Sequence, residues 1–250
     1  MELGLPDSIR AALFDMDGVL TQTGKLHAEA WKRMFDEFLQ SRASVLEEEL
    51  VPFDPDRDYA LYVDGKIRAD GVRSFLESRG IELPEGHIDD PPGSPTIHGL
   101  GNWKNELVKE LIIQVGVSAF EGSIRYVQAV GDAGLKRAVV SASANTLDVL
   151  NASKLTYLFD LIVDGNVAAA QGLRGKPAPD TFLHAARLLH VEPAAAVVFE
   201  DAIAGVRAGH VGGFGYVVGV DRLDQAGALR EAGADVVVKD LTELLAPRPQ

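Results

Sequence analysis

Apolar positions in the C-terminal half of the chain fall in short unbroken runs instead of alternating with polar ones. Lys136–Val140, Leu161–Val163, Ala196–Phe199, Tyr216–Val220 and Val236–Val238 read as strands. Continuous apolar character is what burial on both faces of a sheet requires. Helical periodicity fills the intervals, over Asn145–Lys154, Asp180–His190, Ala202–Ala208 and Gln225–Ala232. Strands alternating with helices predict a parallel sheet covered on both sides, a doubly wound, Rossmann-like α/β core. Ala11–Phe14 has the same character but stands far upstream of the rest.

From about residue 26 to 116 the pattern changes to helices and loops, with His27–Gln40 and Trp103–Val115 the clearest helices. Ile81–Gly99 carries Pro84, Pro91, Pro92 and Pro95 and predicts a loop. A helical block inserted after the first strand of a parallel sheet is expected over the sheet's C-terminal edge, where such sheets bind ligands. The expected division is therefore an α/β catalytic core of residues 1–25 and 117–250, with a helical cap domain over 26–116.

The charge balance narrows the partners. A formal net charge of −13 repels nucleic acid and anionic lipid, so neither is expected to bind. It equally repels a phosphorylated substrate, so a phosphate site would need a local cation or backbone N–H groups. The absence of cysteine excludes disulfides, thiolate nucleophiles and cysteine-based zinc sites. The start MELGLPDSIR has no basic stretch leading into an apolar one, and no apolar run approaches the ~20 residues that span a bilayer. A cytoplasmic location is expected.

Candidate chemistry gathers at strand ends. The first strand runs into Asp15-Met16-Asp17-Gly18-Val19. Carboxylates at i and i+2 point into one crevice, and Gly18 permits the sharp turn that brings them to a ligand. Taken alone, this pattern equally fits a polar turn after a strand. Lys136–Val140 ends at Ser141, with a helix soon after, so a hydroxyl and helix N–H groups would offer an anion site. Lys176 lies in a loop that Pro177 and Pro179 stiffen, and Ala196–Phe199 ends in Glu200-Asp201. The single-motif alternatives are a surface lysine and two helix-capping acids.

Convergence at one edge would bring Asp15, Asp17, Glu200 and Asp201 within a few ångströms of one another. Unit charges 4 Å apart repel by ~1 kcal/mol in water and ~4 kcal/mol at an effective dielectric of 20. Such a cluster calls for a cation, and all-oxygen ligands suit Mg²⁺, which also bridges to phosphate. A metal, a carboxylate nucleophile, a fixed lysine and a hydroxyl make a phosphoryl-transfer set.

The ordered series F-D-M-D-G-V, V-S-A-S, G-K-P-A-P-D and F-E-D-A resembles the four motifs of the haloacid dehalogenase-like hydrolase superfamily, within it the β-phosphoglucomutase-like group. The resemblance covers nearly the whole chain. It implies that Asp15 attacks phosphorus to form an aspartyl-phosphate and that Asp17 serves as general acid and then base. Ser141 and Lys176 would hold the transferring group. Mg²⁺ would be bound by the Asp15 carboxylate, the Asp17 backbone carbonyl, Asp201 and Glu200. The dehalogenases of the superfamily lack the second aspartate, so Asp17 implies phosphoryl transfer.

For the cap, the segment Thr23–Trp31 is similar to that of β-phosphoglucomutases, with Thr23 and His27 in matching places. Arg68, Lys104 and Asn105 are the other substrate-binding candidates there, and Ser143 and Asn145 those in the core. Ordinary alternatives stand beside these, namely a histidine on a helix face and solvated surface charges. The mutases commonly read S-A-S-K-N where this chain has Ala144. The expected substrate is thus a small phosphorylated metabolite, with interconversion of β-glucose 1-phosphate and glucose 6-phosphate as the leading reaction. A sugar-phosphate phosphatase is the alternative, and a phospho-aspartate signalling module a distant one, since receiver domains are about half as long and lack a cap.

Three further patterns are set aside. Asp54, Asp56 and Asp58 imitate the start of a calcium loop, but Tyr59 and Gly65 stand where glycine and glutamate are required. The glycines at 213, 215 and 219 precede a strand instead of following one, unlike a dinucleotide fingerprint. Glu47-Glu48-Glu49 reads as a solvated helix face.

Overall fold

Strand β1 (Ala11–Phe14) is buried along its whole length and pairs on both sides, with β2 (Lys136–Val140) and β4 (Ala196–Glu200). The computed structural model describes residues 2–46 and 51–245, and the acidic run Glu47–Glu49 lies outside the described residues. With β3 (Leu161–Val163), β5 (Tyr216–Val220) and β6 (Val236–Val238) the strands form one parallel sheet in the order β3-β2-β1-β4-β5-β6. The order reverses between β1 and β4, which makes their C-terminal ends the topological switch point where such sheets bind ligands.

The chain divides into two compact units, residues 1–22 with 117–250, and residues 23–116. Thr23, Gly24 and Lys25 fall in the second unit because helix α1 (Gly24–Leu46) already begins there.

In the first unit successive strand residues face opposite sides, as β geometry dictates. Ala11, Leu13, Ala138, Val140 and Val198 share a core with Phe182 and Val206 of the helices at Asp180–Leu188 and Ile203–Val211. On the other face Phe14 stacks on Phe199 at 4.4 Å, and Tyr126, from the helix at Glu121–Asp132, meets Phe199 edge-on at 5.3 Å. Each such ring, fully buried, contributes ~1.5–3 kcal/mol.

The second unit holds α1, a five-residue π-turn (Tyr59–Val63), α2 (Arg68–Ser78) and α3 (Ile97–Val115). Its centre is aromatic, with Phe35 packed 4.0 Å from Phe75 and 5.3 Å from Trp31. The buried Asp58 pairs with Arg79 at 2.7 Å, and Asp54 caps a turn by accepting from the amides of Asp56 and Arg57. These acids hold the chain in place and are not a calcium loop. Helix α3 starts six residues before the expected Trp103, because Thr96 caps it through the Gly99 amide.

Candidate active site

The register of β1 against β4 fixes the acidic centre. The Asp15 amide continues the ladder by donating to the Phe199 carbonyl at 2.9 Å, so Asp15 and Glu200 emerge from adjacent strand ends. After Asp15 the backbone folds tightly: the Gly18 amide donates to Thr21 O at 2.8 Å and the Leu20 amide to Met16 O at 2.9 Å. Gly18 has φ +84°, and a Cβ there would overlap the Asp201 carboxylate. Only glycine permits both this left-handed turn and that approach.

One carboxylate oxygen from each of Asp15, Glu200 and Asp201 lies within 4.8 Å of the others. Asp17 was expected to add a fourth carboxylate to this group and does not. Asp17, two residues on, is half-buried.

Lys176 is the cation of the site. Its Nζ lies 2.6 Å from Asp15 Oδ1 and 2.5 Å from Glu200 Oε1, and donates to Val140 O at 3.2 Å. The ammonium also lies 5.0 Å over the Phe182 ring, and only 2% of the residue is exposed. Burial works against the ammonium, but the two carboxylates together carry its pKa above the ordinary lysine value. Glu200 is wholly buried, and room for its carboxylate exists because residue 205 is glycine, where a Cβ would collide with it. Burial raises the Glu200 pKa to about 7, Lys176 opposes the rise and Asp15 adds to it.

Three carboxylates converge here, with Lys176 between Asp15 and Glu200 and the Arg222 guanidinium acting on Asp201, and a cation among them would lower their mutual repulsion further. Hard oxygen donors at this spacing suit Mg²⁺, so the residues fit the metal that the sequence implied.

Beside the acids, β2 delivers Ser141, whose amide donates to Val163 O at 3.0 Å and whose Oγ accepts from the Ser143 amide at 3.1 Å. Ser143 Oγ in turn accepts from the Asn145 amide at 3.2 Å. The loop is clamped from the helix that follows β3, where the Gly165 amide donates to Ser143 O and Asn166 Nδ2 to Ala144 O. Ser141 and Asn145 are buried, Ser143 half-buried. The helix that follows, Thr146–Ala152, has two turns, shorter than the Asn145–Lys154 expected.

In the second unit Lys104 and His27 meet at 2.9 Å through Nζ and Nδ1, and Lys104 lies 4.6 Å over the Trp31 ring. An ammonium has no lone pair, so His27 Nδ1 accepts and the imidazole is neutral. Burial, reinforced by Lys104, holds its pKa well below 6.5. Thr23 is buried and its carbonyl accepts from the His27 amide at 3.0 Å. Arg68, the first residue of α2, is half-buried, with burial alone drawing its pKa down. Its stem runs past Gly101, where a Cβ would stand 3.1 Å from Arg68 Cγ. Asn105 is half-buried on α3 beside Lys104.

Two site residues lie in no motif. Arg222 and Gln225, in the loop after β5, reach the carbonyls of Gly18 and Asp201 at 2.7 and 3.1 Å. The clue available in the sequence was a polar Asp221-Arg222 pair closing another strand at the same sheet edge.

An acidic centre with one buried lysine at the switch point of a six-stranded parallel sheet defines a phosphotransferase or phosphatase class, and comparison with known proteins agrees. The chain belongs to the haloacid dehalogenase-like hydrolase family, whose pattern matches residues 9–213. It is 55% identical to a β-phosphoglucomutase of Mycobacterium bovis over 97% of this chain and 94% of that one. It is 29% identical to validoxylamine A 7'-phosphate phosphatase of Streptomyces hygroscopicus subsp. limoneus, over 95% and 97% of the two chains. The fold matches a crystal structure of β-phosphoglucomutase from Clostridium difficile with a TM-score of 0.72 at 24% identity, covering 94% and 93%. No helix among the described residues is long and apolar enough to cross a membrane.

Proposed function

We propose that this enzyme is a cytoplasmic, Mg²⁺-dependent β-phosphoglucomutase, interconverting β-glucose 1-phosphate and glucose 6-phosphate through a bisphosphate. The observation that carries the proposal is the 55% identity to a β-phosphoglucomutase across nearly both chains, together with the Asp15–Lys176–Glu200–Asp201 constellation. The second unit serves as the cap.

Mg²⁺, held by Asp15, the Asp17 backbone carbonyl, Glu200 and Asp201, would offset charge on the transferring phosphoryl group. An Asp15 carboxylate oxygen bonds to phosphorus as the bond from phosphorus to the sugar oxygen breaks. Asp17 gives its proton to that leaving oxygen. In the second half Asp17, now a carboxylate, takes the proton from a sugar hydroxyl, whose oxygen attacks the aspartyl-phosphate and restores Asp15. Lys176 balances the Asp15 charge from 2.6 Å throughout, and with the Ser141 hydroxyl it binds the phosphoryl oxygens. Ser143 and Asn145 line the same loop. Arg68 receives the phosphate that is not transferred, its planar fork suiting bidentate recognition. Thr23, His27, Lys104 and Asn105 orient the sugar.

A second reading has a specific observation behind it. Ala144 stands where the mutases carry a lysine, and a relative of similar length is a phosphatase. With water as the acceptor the same steps give hydrolysis. Incubation with Mg²⁺, β-glucose 1-phosphate and a trace of glucose 1,6-bisphosphate separates the two. Glucose 6-phosphate forming in large excess over free phosphate is the mutase result. Stoichiometric phosphate release without glucose 6-phosphate overturns it in favour of the phosphatase.

A further inference from the structure

We infer that Arg222 is a positioning residue for the catalytic loop, holding the turn that carries Asp17 from the far side of the switch point. The loop after β1 has three successive carbonyls, and each is gripped from outside it. Gly18 O accepts from Arg222 Nε at 2.7 Å, Val19 O from the buried Ser123 hydroxyl at 2.6 Å, and Leu20 O from the Phe120 amide at 2.9 Å. Two of these donors come from one neighbouring stretch of chain, residues 120–123. Only Arg222 comes from beyond β4, in the loop that leaves β5.

The guanidinium is fixed on three sides. Nη1 donates to Lys239 O at 2.8 Å, just past β6, and the group stacks on the Phe120 ring, with Cζ 3.6 Å from its centroid. Nη2 is buried with no hydrogen-bond partner, while Asp201 and Asp240 act on the group electrostatically. A lysine could not span this arrangement, because it lacks both the planar fork and the stacking face.

The loop that carries Arg222 is itself braced. The Asp221 amide donates to Val238 O at 2.8 Å, and Asp221 Oδ1 accepts from the Gln225 amide at 2.8 Å. Gln225 Nε2 then reaches Asp201 O at 3.1 Å. One loop outside every motif thus holds both acid-bearing turns by their backbone, Gly18 after β1 and Asp201 after β4. General acid–base chemistry by Asp17 depends on placement, and Gly18 is the residue that follows it.

The test compares Arg222→Met and Arg222→Lys with the parent by amide hydrogen exchange and steady-state kinetics. Arg222→Met should speed exchange of the Gly18, Leu20 and Thr21 amides by roughly ten-fold, the equivalent of one hydrogen bond, and leave the β4 and β5 amides unchanged. The kinetic arm rests on the proposed phosphoryl transfer. There kcat should fall by ~10²-fold, the scale of a 1 Å misplacement, while KM stays put. Arg222→Lys should keep the fold and still show a raised loop exchange and a lowered kcat. Unchanged loop exchange in both variants would overturn the inference, as would a rise spread evenly over the sheet. If the parent turns over no phosphate ester, the proposed function fails, and the exchange pattern still decides the role of Arg222.

Discussion

Replacing Lys176 with methionine keeps the stem and removes the charge, which isolates what the ammonium does. In the parent one buried Nζ contacts Asp15 at 2.6 Å and Glu200 at 2.5 Å. In alkaline buffer, above the raised Glu200 pKa, Lys176→Met leaves these two carboxylates ionised and facing each other, with Glu200 fully buried. Breaking a buried pair by deleting one partner costs ~3–5 kcal/mol, because the surviving charge is uncompensated. Two acceptors share this cation, so the upper half of that range is expected. At ~2–4 °C per kcal/mol for a chain of this size, the melting midpoint should drop by about 8–20 °C in EDTA. Saturating Mg²⁺ should then restore more stability to the variant than to the parent. A ligand at a hundred times its Kd adds ~2.7 kcal/mol, and in the variant it also replaces the lost charge. Circular dichroism melts of both proteins, in EDTA and in Mg²⁺, give the four midpoints. Adding Glu200→Gln to Lys176→Met should recover part of the loss, since one orphaned charge is removed. A variant that melts within about 2 °C of the parent in EDTA, well below the ~8 °C expected, would refute the idea that Lys176 neutralises this cluster.

Asp17→Asn should slow the chemical step by ~10²–10⁴-fold, the scale of a lost general acid or base, while Mg²⁺ binding followed by calorimetry weakens little. A loss wholly in metal affinity would contradict that role. Arg68→Ala should cost ~2–3 kcal/mol in bisphosphate turnover, roughly 30- to 150-fold, and leave p-nitrophenyl phosphate hydrolysis almost untouched. Equal losses on both substrates would make Arg68 structural. His27 is held neutral, its folded pKa well below the 6.5 of the unfolded chain. The unfolded state alone gains a proton as pH falls below 6.5, so the stability present above that value declines toward acid. His27→Gln should flatten the decline between about pH 5 and 7 in urea melts, and an unaltered slope would show that another group sets it.

The six strands were legible from sequence because burial on both faces leaves an unmistakable apolar run, and all six appear with their expected limits to within one residue. The helices were harder. Glu121–Asp132 contains Gly122 and Gly131, which admit Asp240 and Arg137 and dilute the apolar periodicity. Helix α2 opens with Arg68, carries Asp70 and Gly71, and its start has no side-chain cap to announce it. Gly99 and Gly101 hid the first turns of α3 in the same way, since they make room for Ser94 and Arg68.

At the candidate site the motifs located the acids, Lys176 and Ser141, because strand ends of a parallel sheet must share one edge. They could not give the sharing of Lys176 between Asp15 and Glu200, which depends on side-chain reach. Nor could they give Arg222 and Gln225, which act through backbone carbonyls and belong to no motif, their one clue being the polar pair that closes β5. Trp31 was read as part of a helix, and its contact with Lys104 links residues 73 positions apart.

The central claim is that Asp15 becomes phosphorylated during turnover. Rapid quenching of the enzyme with labelled glucose 1,6-bisphosphate, followed by borohydride reduction and peptide mass spectrometry, tests it directly. Reduction of an aspartyl-phosphate yields homoserine, so the peptide spanning Asp15 should carry that change, and Asp15→Asn should show neither the change nor turnover. Sustained turnover with Asp15 unmodified, or with the phosphoryl group found on another residue, would contradict the account.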